Sequence, residues 1–261
     1  MNISFEGKKA LVGGASGGIG LAIARQLAKS GAEITLVARN REKLKRYTHE
    51  LACDHNQQHR YLEVDYTNFE SYKQIIRNYF KDHSVDILVN NTQGPAAGGA
   101  MEKNIDDYQQ AFDLLFKTTV CTTELAVEHM IEKKWGRIIN VASVSVKEPL
   151  SYLVLSNSIR AAVVTWAKSL AIDVGQYGIT VNSILTGFFD TERLGQLNRK
   201  KAEKMGVPEH EVTRAMEELT ALKRIGNPIE YGYLAAFLAS DQAAFITGTS
   251  IPIDGGYLKS L

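Results

Sequence analysis

The sequence predicts an α/β fold built on a doubly wound, mostly parallel seven-stranded sheet with helices on both faces. Seven short apolar runs alternate with segments of helical periodicity, and a glycine-rich turn joins the first run to the first of these segments. Most of the runs are continuously apolar, as expected for strands buried on both faces of a parallel sheet. The alternation implies βαβ units with right-handed crossovers. The predicted strands are residues 9–13, 33–38, 61–64, 85–90, 137–142, 179–185 and 250–253.

Helical periodicity predicts the connections between these strands, among them residues 19–29, 41–51, 108–133 and 160–174. One segment, 188–223, interrupts the alternation after the sixth strand and is rich in Lys, Arg and Glu at helical spacing. Ligands bind at the carboxyl ends of the strands in open α/β sheets. We therefore interpret this insertion as a lid, with a solvated helical excursion as the alternative. We expect residues 1–261 to form a single domain, since one α/β domain commonly reaches this size.

The composition predicts a soluble protein without a strong electrostatic field. Charged residues make up 23% of the chain and the formal net charge is +1, so we expect neither a nucleic-acid nor a membrane partner. No apolar stretch approaches the roughly 18–20 residues that span a bilayer. Cys53 and Cys121 lie far apart and suggest no disulfide framework, which favours a reducing, cytoplasmic setting. The six histidines show no metal-binding pattern, and no metal is expected.

The turn after the first predicted strand is typical of a dinucleotide-binding site. It reads Gly-Gly-Ala-Ser-Gly-Gly-Ile-Gly over residues 13–20 and opens a predicted helix. Glycines let the backbone approach a diphosphate closely, and a helix N-terminus offers free N–H groups and the positive end of its dipole. The position between a strand and a helix gives the motif its weight. The predicted cofactor-binding residues here are Gly14, Ser16, Gly18, Ile19 and Gly20.

The end of the second predicted strand favours NADP(H) over NAD(H). An NAD site usually places an acid here to accept hydrogen bonds from the ribose 2′-hydroxyl. This chain has Ala38 and Arg39 instead. A guanidinium binds a phosphate through charge-assisted, forked hydrogen bonds. Arg39 is therefore the predicted ligand of a 2′-phosphate, and Ser16 adds a hydroxyl nearby.

Further motifs give the chain a resemblance to the short-chain dehydrogenase/reductase family, which has a Rossmann fold. Besides the glycine turn, they are Asp65 after the third strand, Asn90-Asn91 after the fourth, Ser143 after the fifth and Gly187 after the sixth. The ending also matches, with Ile-Thr-Gly at 246–248 and Asp-Gly-Gly at 254–256. Within the family, the chain looks most like 3-oxoacyl-thioester reductases and general carbonyl reductases.

The resemblance implies roles for several of these residues. Asp65 would meet the adenine, the Asn90-Asn91 pair would order the central strands and face the cofactor, and Thr191 would contact the carboxamide end. Gly187 belongs to the same set of cofactor-binding residues. Members of the family commonly associate through the two long helices, here segments 105–134 and 155–176. A homodimer or homotetramer is therefore expected. The residues themselves show only that these helices are apolar, so that they pack against the sheet or against a second subunit.

The family's catalytic set of Asn, Ser, Tyr and Lys maps onto this chain with three changes. Ser143 matches the serine that polarises the substrate carbonyl. Ser156 stands where the acid/base tyrosine is usual, and Arg160 stands where the lysine that holds the nicotinamide ribose is usual. Leu115 occupies the position of the asparagine that holds a relay water.

These changes bear on proton transfer. A serine hydroxyl is a far weaker acid than a phenol, so Ser156 is a poor proton donor on its own. Arg160 keeps the positive charge, but its proton is effectively fixed. Tyr152 is an alternative donor, because a continuous helix would place it on the same face as Ser156. Lys147 is a second basic group in the same stretch.

Three functions fit this reading. The leading hypothesis is an NADP(H)-dependent oxidoreductase that moves hydride between the nicotinamide and a carbonyl or alcohol carbon of a small molecule, with Ser143, Ser156, Arg160 and Tyr152 as the candidate catalytic residues. The second is a protein that binds the cofactor without redox turnover, as a sensor or partner subunit. The third is a dehydratase or isomerase that uses the same cleft.

Overall fold

A computed structural model describes residues 2–260 and contains one seven-stranded sheet, in the order β3-β2-β1-β4-β5-β6-β7. All six strand pairings are parallel, and helices cover both faces. The predicted fold class is therefore confirmed. The strands are β1 (Lys9–Gly13), β2 (Glu33–Ala38), β3 (Arg60–Glu63), β4 (Ile87–Asn90), β5 (Gly136–Val141), β6 (Ile179–Thr186) and β7 (Ser250–Ile253).

The bounds of β1, β2 and β7 are as predicted, and those of the other four strands differ from the prediction by one or two residues. The largest difference is at β4, where the apolar run starts at Val85 but the ladder starts at Ile87. Asp86 explains this, because its carboxylate accepts a hydrogen bond from the Lys9 amide at 2.8 Å and its own amide donates to the Lys9 carbonyl. The chain is thus fixed beside β1 before regular pairing begins.

Nine α-helices lie within the described residues. They are α1 (Gly18–Lys29), α2 (Arg41–Glu50), α3 (Phe69–Asp82), α4 (Ile105–Phe112), α5 (Thr118–Lys133), α6 (Val154–Val174), α7 (Glu192–Met205), α8 (Glu209–Leu219) and α9 (Pro228–Ala239). Within residues 2–260, no helix combines the length and the apolar character needed to cross a bilayer.

The predicted helix 108–133 is longer than expected and is interrupted. It begins at Ile105 because Asn104 and Asp107 form a reciprocal capping box, in which each side chain accepts from the other residue's backbone amide. A single π-turn, Asp113–Lys117, then joins α4 to α5. Such turns within α-helices are often found at functional sites.

The core lies in two layers, one on each face of the sheet. Residues of α1 and α9, such as Leu27 and Tyr231, pack on one face, and residues of α3, α5 and α6, such as Ile76 and Met130, pack on the other. The side chains of Leu125, Trp166 and Leu170 are partly buried against the second layer. These apolar residues of the two long helices therefore pack within the subunit.

The segment 188–223 forms two helices, α7 and α8, as its spacing predicts. Ala202, Val212 and Met216 give it a small apolar cluster of its own. Because the segment follows the carboxyl end of β6, it places the first turn of α7 beside the turn that precedes α1. A Cβ atom at Gly18 would lie 3.1 Å from Cγ2 of Thr191. Helix α7 is therefore positioned to cover the ligand-binding edge of the sheet, and most of its residues from Glu192 to Leu197 contribute to the cleft there.

Candidate functional site

A cleft of about 730 Å³ opens at the carboxyl ends of the strands. It lies where the strand order reverses between β1 and β4, the position at which open α/β sheets bind ligands. Its volume is within the range of small-molecule and cofactor sites. The cleft is lined by thirteen of the predicted site residues: Gly14, Ser16, Gly18, Ile19, Gly20, Arg39, Asp65, Asn91, Ser143, Ser156, Arg160, Gly187 and Thr191.

The turn between β1 and α1 requires glycine for two reasons. Gly14 has a φ of 57° and Gly18 a φ of 51°, a left-handed conformation that L side chains rarely adopt. A Cβ atom at Gly20 would lie 2.5 Å from the carbonyl oxygen of Gly14, and one at Gly14 would lie 2.6 Å from Nδ2 of Asn91. No side chain caps the start of α1, and its first turn contains no acidic residue. The amides of this turn therefore suit an anionic group.

The two asparagines after β4 hold the strands around the cleft together. Asn90 donates through Nδ2 to Oδ1 of Asn140 in β5 and to Oγ1 of Thr123 in α5, both at 2.9 Å. Asn91 donates through Nδ2 to the carbonyl of Gly13 at 3.0 Å. The first asparagine thus fastens the central strands, and the second supports the glycine turn from beneath.

One end of the cleft carries two cations that follow β2. Arg39 is exposed and lines the cleft, and Lys43 lines it one helical turn later. Across from them, Asp65 accepts hydrogen bonds from the amide and hydroxyl of Thr67 at 2.9 and 2.7 Å. These two hydrogen bonds, and to a smaller extent the charge of Arg39, lower the pKa of the Asp65 carboxyl. The Lys43 ammonium also forms an ion pair with Glu192 at 3.3 Å.

The opposite end of the cleft brings together Ser143, Ser156 and Arg160. Ser143 lies two residues after the end of β5, and its Oγ accepts a hydrogen bond from the amide of Ser145 at 3.1 Å. Ser156 and Arg160 lie one turn apart on the face of α6 that lines the cleft. The Ser156 hydroxyl forms no hydrogen bond with other residues in 2–260, so it is available to a ligand.

Arg160 is held by the strand that it faces. Its guanidinium donates to the carbonyl of Val141, the last residue of β5. Burial lowers the pKa of Arg160 to about 10, and the nearby charge of Arg193 also lowers it, while the Tyr231 phenol acts in the opposite direction. The side chain therefore stays protonated at neutral pH and serves as a fixed cation.

The structure does not bring Tyr152 to the cleft, contrary to the alternative raised from the sequence. Helix α6 begins at Val154, so Tyr152 lies before the helix and shares no face with Ser156. Its carbonyl accepts from the amide of Gly98, which fixes the turn, and its ring faces the ammonium of Lys201 at 5.8 Å. Burial raises the pKa of the Tyr152 phenol. Lys147 also lies outside the cleft lining.

Leu115 lies in the π-turn and is buried. Its side chain has no polar group, and its carbonyl accepts a hydrogen bond from Oγ1 of Thr119 at 2.7 Å. The position at which the resemblance implies a relay asparagine is thus apolar, and its main-chain oxygen already has a donor.

Two basic residues of the cleft were not predicted from the sequence. Lys43 follows Arg39 by one helical turn at the start of a predicted helix, and this spacing indicates from the sequence that both side chains face the same site. Arg193 lies in the charge-rich segment after β6, where no local pattern distinguishes it. It reaches the loop after β4 and donates to the carbonyl of Pro95 at 2.9 Å. Among the described residues, no group of three or more His, Cys, Asp or Glu side chains could hold a metal ion.

The doubly wound sheet, the glycine turn at the head of α1 and the cleft at the strand reversal define a Rossmann-type dinucleotide-binding protein. Comparison with known proteins refines this class. A family model described as Enoyl-(Acyl carrier protein) reductase matches residues 14–258. The chain belongs to the short-chain dehydrogenase/reductase family of oxidoreductases.

Individual relatives match over nearly the whole chain. The 3-oxoacyl-(acyl-carrier-protein) reductase FabG of Rickettsia typhi is 32% identical over 257 residues, which cover 98% of this chain and 99% of that protein. Oxidoreductase UcpA of Salmonella typhimurium is 34% identical over 258 residues, which cover 97% of this chain and 95% of that protein. The crystal structure of L-sorbose reductase from Gluconobacter frateurii, complexed with NADPH and L-sorbose, matches with a TM-score of 0.92 and 30% identity over 100% of both chains.

Proposed function

We propose that the protein is an NADP(H)-dependent oxidoreductase that transfers hydride between a nicotinamide and a carbonyl or alcohol carbon of a small molecule. The observation that carries this proposal is the convergence of the glycine turn, Arg39 and the Ser143–Ser156–Arg160 group in one cleft. The relatives that are named as reductases, one of them complexed with NADPH, support the same function. The substrate class is a 3-oxoacyl thioester or another small carbonyl compound.

The residues present fit a phosphorylated dinucleotide. The glycine turn leaves open space at Gly17, which lines the cleft and where a Cβ atom would meet no protein atom within 4 Å, and the start of α1 presents its amides to the cleft. Arg39 and Lys43 supply positive charge at the end where a 2′-phosphate would bind. Asn91 and Thr191 line the path between that end and Arg160.

The bound nicotinamide supplies or accepts the hydride, and this chain's residues position and polarise the substrate. Ser143 Oγ, held by the Ser145 amide, donates a hydrogen bond to the substrate oxygen, where negative charge develops. Arg160 holds ribose hydroxyls as a fixed cation. Ser156 orients a water through its hydroxyl, and the proton reaches the substrate oxygen from bulk solvent through that water, because Arg160 keeps its proton and no phenol lines this end of the cleft among residues 2–260. Positioning supplies much of the rate even where proton transfer is poor.

A second candidate is a protein that binds the cofactor but does not turn over. The observation in its favour is that, within residues 2–260, no phenol lines the catalytic end of the cleft. Tyr231 lies near Arg160, but its side chain is buried outside the lining. Tyr152 lies outside the lining. Tyr66 does line the cleft but lies under the glycine turn, where its hydroxyl would be 3.0 Å from a Cβ atom at Gly13, and burial raises its pKa.

The test combines cofactor binding with turnover. Calorimetric titration with NADPH and NADH is followed by assays of NADPH oxidation with a panel of ketones and 3-oxoacyl thioesters. We expect tighter binding of NADPH and oxidation with at least one carbonyl, and loss of about 100-fold in rate in Ser143→Ala, since removal of one donor to a developing oxyanion has an effect of this order. Binding without oxidation across the panel would favour the second candidate. Failure to bind either nucleotide would overturn both.

We also propose that the chain forms a homodimer or homotetramer in solution. The support is an exposed apolar side chain on α6, Ile172, together with the family's use of this helix. Sedimentation equilibrium of the wild type and of Ile172→Lys tests it, with a decrease in mass expected for the variant. A monomeric wild type would contradict the proposal.

A further inference from the structure

Two guanidinium groups line the catalytic half of the cleft without a carboxylate partner. Arg160 and Arg193 both contribute to the lining, and within residues 2–260 neither forms an ion pair. The cleft contains two carboxylates, and both are engaged elsewhere. Asp65 accepts from Thr67, and Glu192 faces Lys43 at the other end. The catalytic half therefore carries positive charge that no protein group neutralises.

The placement of Arg193 adds to this imbalance. It lies in the first turn of α7, where the helix dipole is positive and favours anions rather than cations. It is also near enough to Arg160 for its charge to lower the pKa of that side chain. Arg193 is exposed, so water screens part of this repulsion, and a bound anion would neutralise both cations.

The guanidinium of Arg193 is oriented but not saturated. One of its nitrogens donates to the carbonyl of Pro95 at 2.9 Å, which holds the side chain across the cleft from α7 to the loop after β4. Gly94 lies alongside, and a Cβ atom there would be 3.5 Å from Nη2. A guanidinium has five N–H donors in a planar fork, so donors remain for a further partner.

We propose that the substrate carries a carboxylate in addition to its reacting carbonyl, and that Arg193 binds this carboxylate while the charge of Arg160 adds to the attraction. The proposal rests on the proposed function, and within it selects a small oxo acid over a 3-oxoacyl thioester, because the carboxyl carbon of the thioester is esterified and carries no charge. A planar carboxylate matches the forked geometry of a guanidinium. The bound anion would neutralise the excess charge of this half of the cleft, and Ser143 would face the carbonyl.

The same positive charge could attract the diphosphate of the cofactor instead. Thr191, two residues before Arg193, lies close to Gly18 of the glycine turn, so both sources of anionic oxygen are within the region that α7 covers. The two sources differ in what a change at Arg193 affects. A substrate carboxylate contact affects discrimination between substrates, whereas a diphosphate contact affects the affinity for NADPH.

The experiment compares substrates that differ only in charge. Acetoacetate and methyl acetoacetate share the reacting ketone, and longer 3-oxo acids with their methyl esters extend the series. For each pair, kcat/KM is measured with saturating NADPH, and the ratio of acid to ester is determined. The dissociation constant of NADPH is measured for the same variants by fluorescence. Arg193→Met removes the charge, and Arg193→Lys retains it without the fork.

Arg199→Met is the matched control. Arg199 lies on the same helix, is exposed and outside the cleft lining, and forms an ion pair with the exposed Glu209 at 3.9 Å. We expect the wild type to prefer acids, and Arg193→Met to lower the acid-to-ester ratio about tenfold, mainly through KM, since hydrogen bonds to charged groups contribute energies of this order. Arg193→Lys should lose less, and Arg199→Met should match the wild type. The affinity for NADPH should not change.

An acid-to-ester ratio that does not respond to Arg193→Met would overturn the proposal, and an accompanying loss of NADPH affinity would assign Arg193 to the cofactor diphosphate. Failure of the proposed function would look different, because no member of either series would be reduced. The carboxylate site is then tested by calorimetric titration of acetoacetate and its ester into the protein saturated with NADP. Binding of the acid alone, lost in Arg193→Met, would support the site without turnover. Equal binding of acid and ester would exclude it.

Discussion

Lys43 and Glu192 connect the two sides of the cleft. Their charged atoms are 3.3 Å apart, although the strands β3 to β6 lie between the two residues in the sequence. Lys43 comes from α2, after β2, and Glu192 from the first turn of α7. The Lys43 side chain is partly exposed and that of Glu192 is largely exposed, so the pair contributes little to the free energy of unfolding. Its location matters more, because a 2′-phosphate at Arg39 would compete with Glu192 for the same ammonium group.

We therefore expect Glu192→Gln to strengthen the binding of NADPH by a few fold, since it releases Lys43 and removes a negative charge from the cleft. Lys43→Met should weaken the binding of NADPH while leaving NADH nearly unchanged. Fluorescence titration at low and high salt measures both effects. The control is Arg46→Met, which changes an exposed cation on the same helix that pairs with Glu50. Weaker binding of NADPH by Glu192→Gln would show that the pair supports the site rather than competing with it.

Arg39→Asp should weaken NADPH far more than NADH, by about tenfold or more, because it replaces a phosphate ligand by a carboxylate that repels phosphate and accepts from a ribose hydroxyl. Titration of each nucleotide gives the ratio of the two dissociation constants. Lys45→Met is the control, as an exposed cation of α2 outside the cleft lining. Equal losses for both nucleotides would contradict the role of Arg39 as the phosphate ligand.

Gly20→Ala should destabilise the fold by about 1–3 kcal/mol, the usual range for an overpacked site. The new methyl group would meet backbone, with the carbonyl oxygens of Gly14 and Gly13 at 2.5 and 2.7 Å, so no flexible side chain can give way. Chemical denaturation measures the change, and NADPH titration should show weaker binding. Gly175→Ala is the control, because a Cβ atom there meets nothing within 4 Å. Similar losses for both variants would mean that the glycine turn can rearrange.

Sequence periodicity predicted the sheet well, because strands buried on both faces leave continuous apolar runs. The cleft residues at the ends of β1 and β2 were predicted from the residues themselves, by the glycine turn and by the arginine that replaces an acid, whereas those at the ends of β4, β5 and β6 were predicted only from the resemblance to the family. Contacts between segments that are distant in the sequence produce no comparable pattern of residues. The reach of Arg193 to Pro95 depends on how α7 folds back over the sheet, and nothing local to either residue indicates it.

Tyr152 shows a second limit. Its position relative to Ser156 depends on the residue at which α6 begins, and helix starts are the least predictable feature of a sequence. Here Leu153 pairs with Gly98 in an isolated bridge and adopts a φ of −129° and a ψ of 37°, which ends the loop immediately before the helix. This bridge keeps Tyr152 out of the cleft lining. The position of Tyr152 therefore depends on Gly98, which lies 54 positions earlier in the chain.

Just after the segment 188–223, Arg224 and Glu230 form an ion pair whose contribution to the stability of the fold depends on pH. Arg224 donates to both carboxylate oxygens of Glu230 at 2.8 and 2.6 Å, and with the Asn227 amide it lowers the pKa of Glu230 to about 2 from the ordinary 4.5. A pKa that is lower in the folded state stabilises the fold above about pH 4.5, and this contribution is lost as the pH falls toward 2.

Glu230→Gln should therefore be less stable than the wild type at pH 7, by up to about 1 kcal/mol, because the pair is solvent-exposed. The difference should shrink as the pH falls from 4.5 toward 2. Urea denaturation at several pH values measures it. Glu128→Gln serves as the control, as an exposed glutamate on α5. A difference that is constant over this range would mean that the charge of Glu230 does not matter.

The double variant Ser156→Tyr with Arg160→Lys tests which group limits proton transfer. Both positions line the catalytic end of the cleft on one face of α6, so a phenol at 156 would face the same space as Ser143. A lysine at 160 would keep the positive charge and would lower the pKa of that phenol, which is a far better proton donor than a serine. We expect a rise of about 100-fold in kcat for NADPH oxidation with a ketone that the wild type reduces slowly, with little change in KM.

The pH profile distinguishes this effect from a general improvement. The double variant should show a new ionisation in the pH profile of kcat, from the phenol. A second double variant, Ser156→Phe with Arg160→Lys, should show neither the rise in kcat nor the new ionisation. Thermal unfolding of each variant checks that the fold is retained. If the double variant folds, binds NADPH and reduces ketones no faster than the wild type, the proton does not limit the rate. Leu115 would then be the next position to change, because the resemblance implies an asparagine there that holds a relay water, and an apolar side chain cannot bind one.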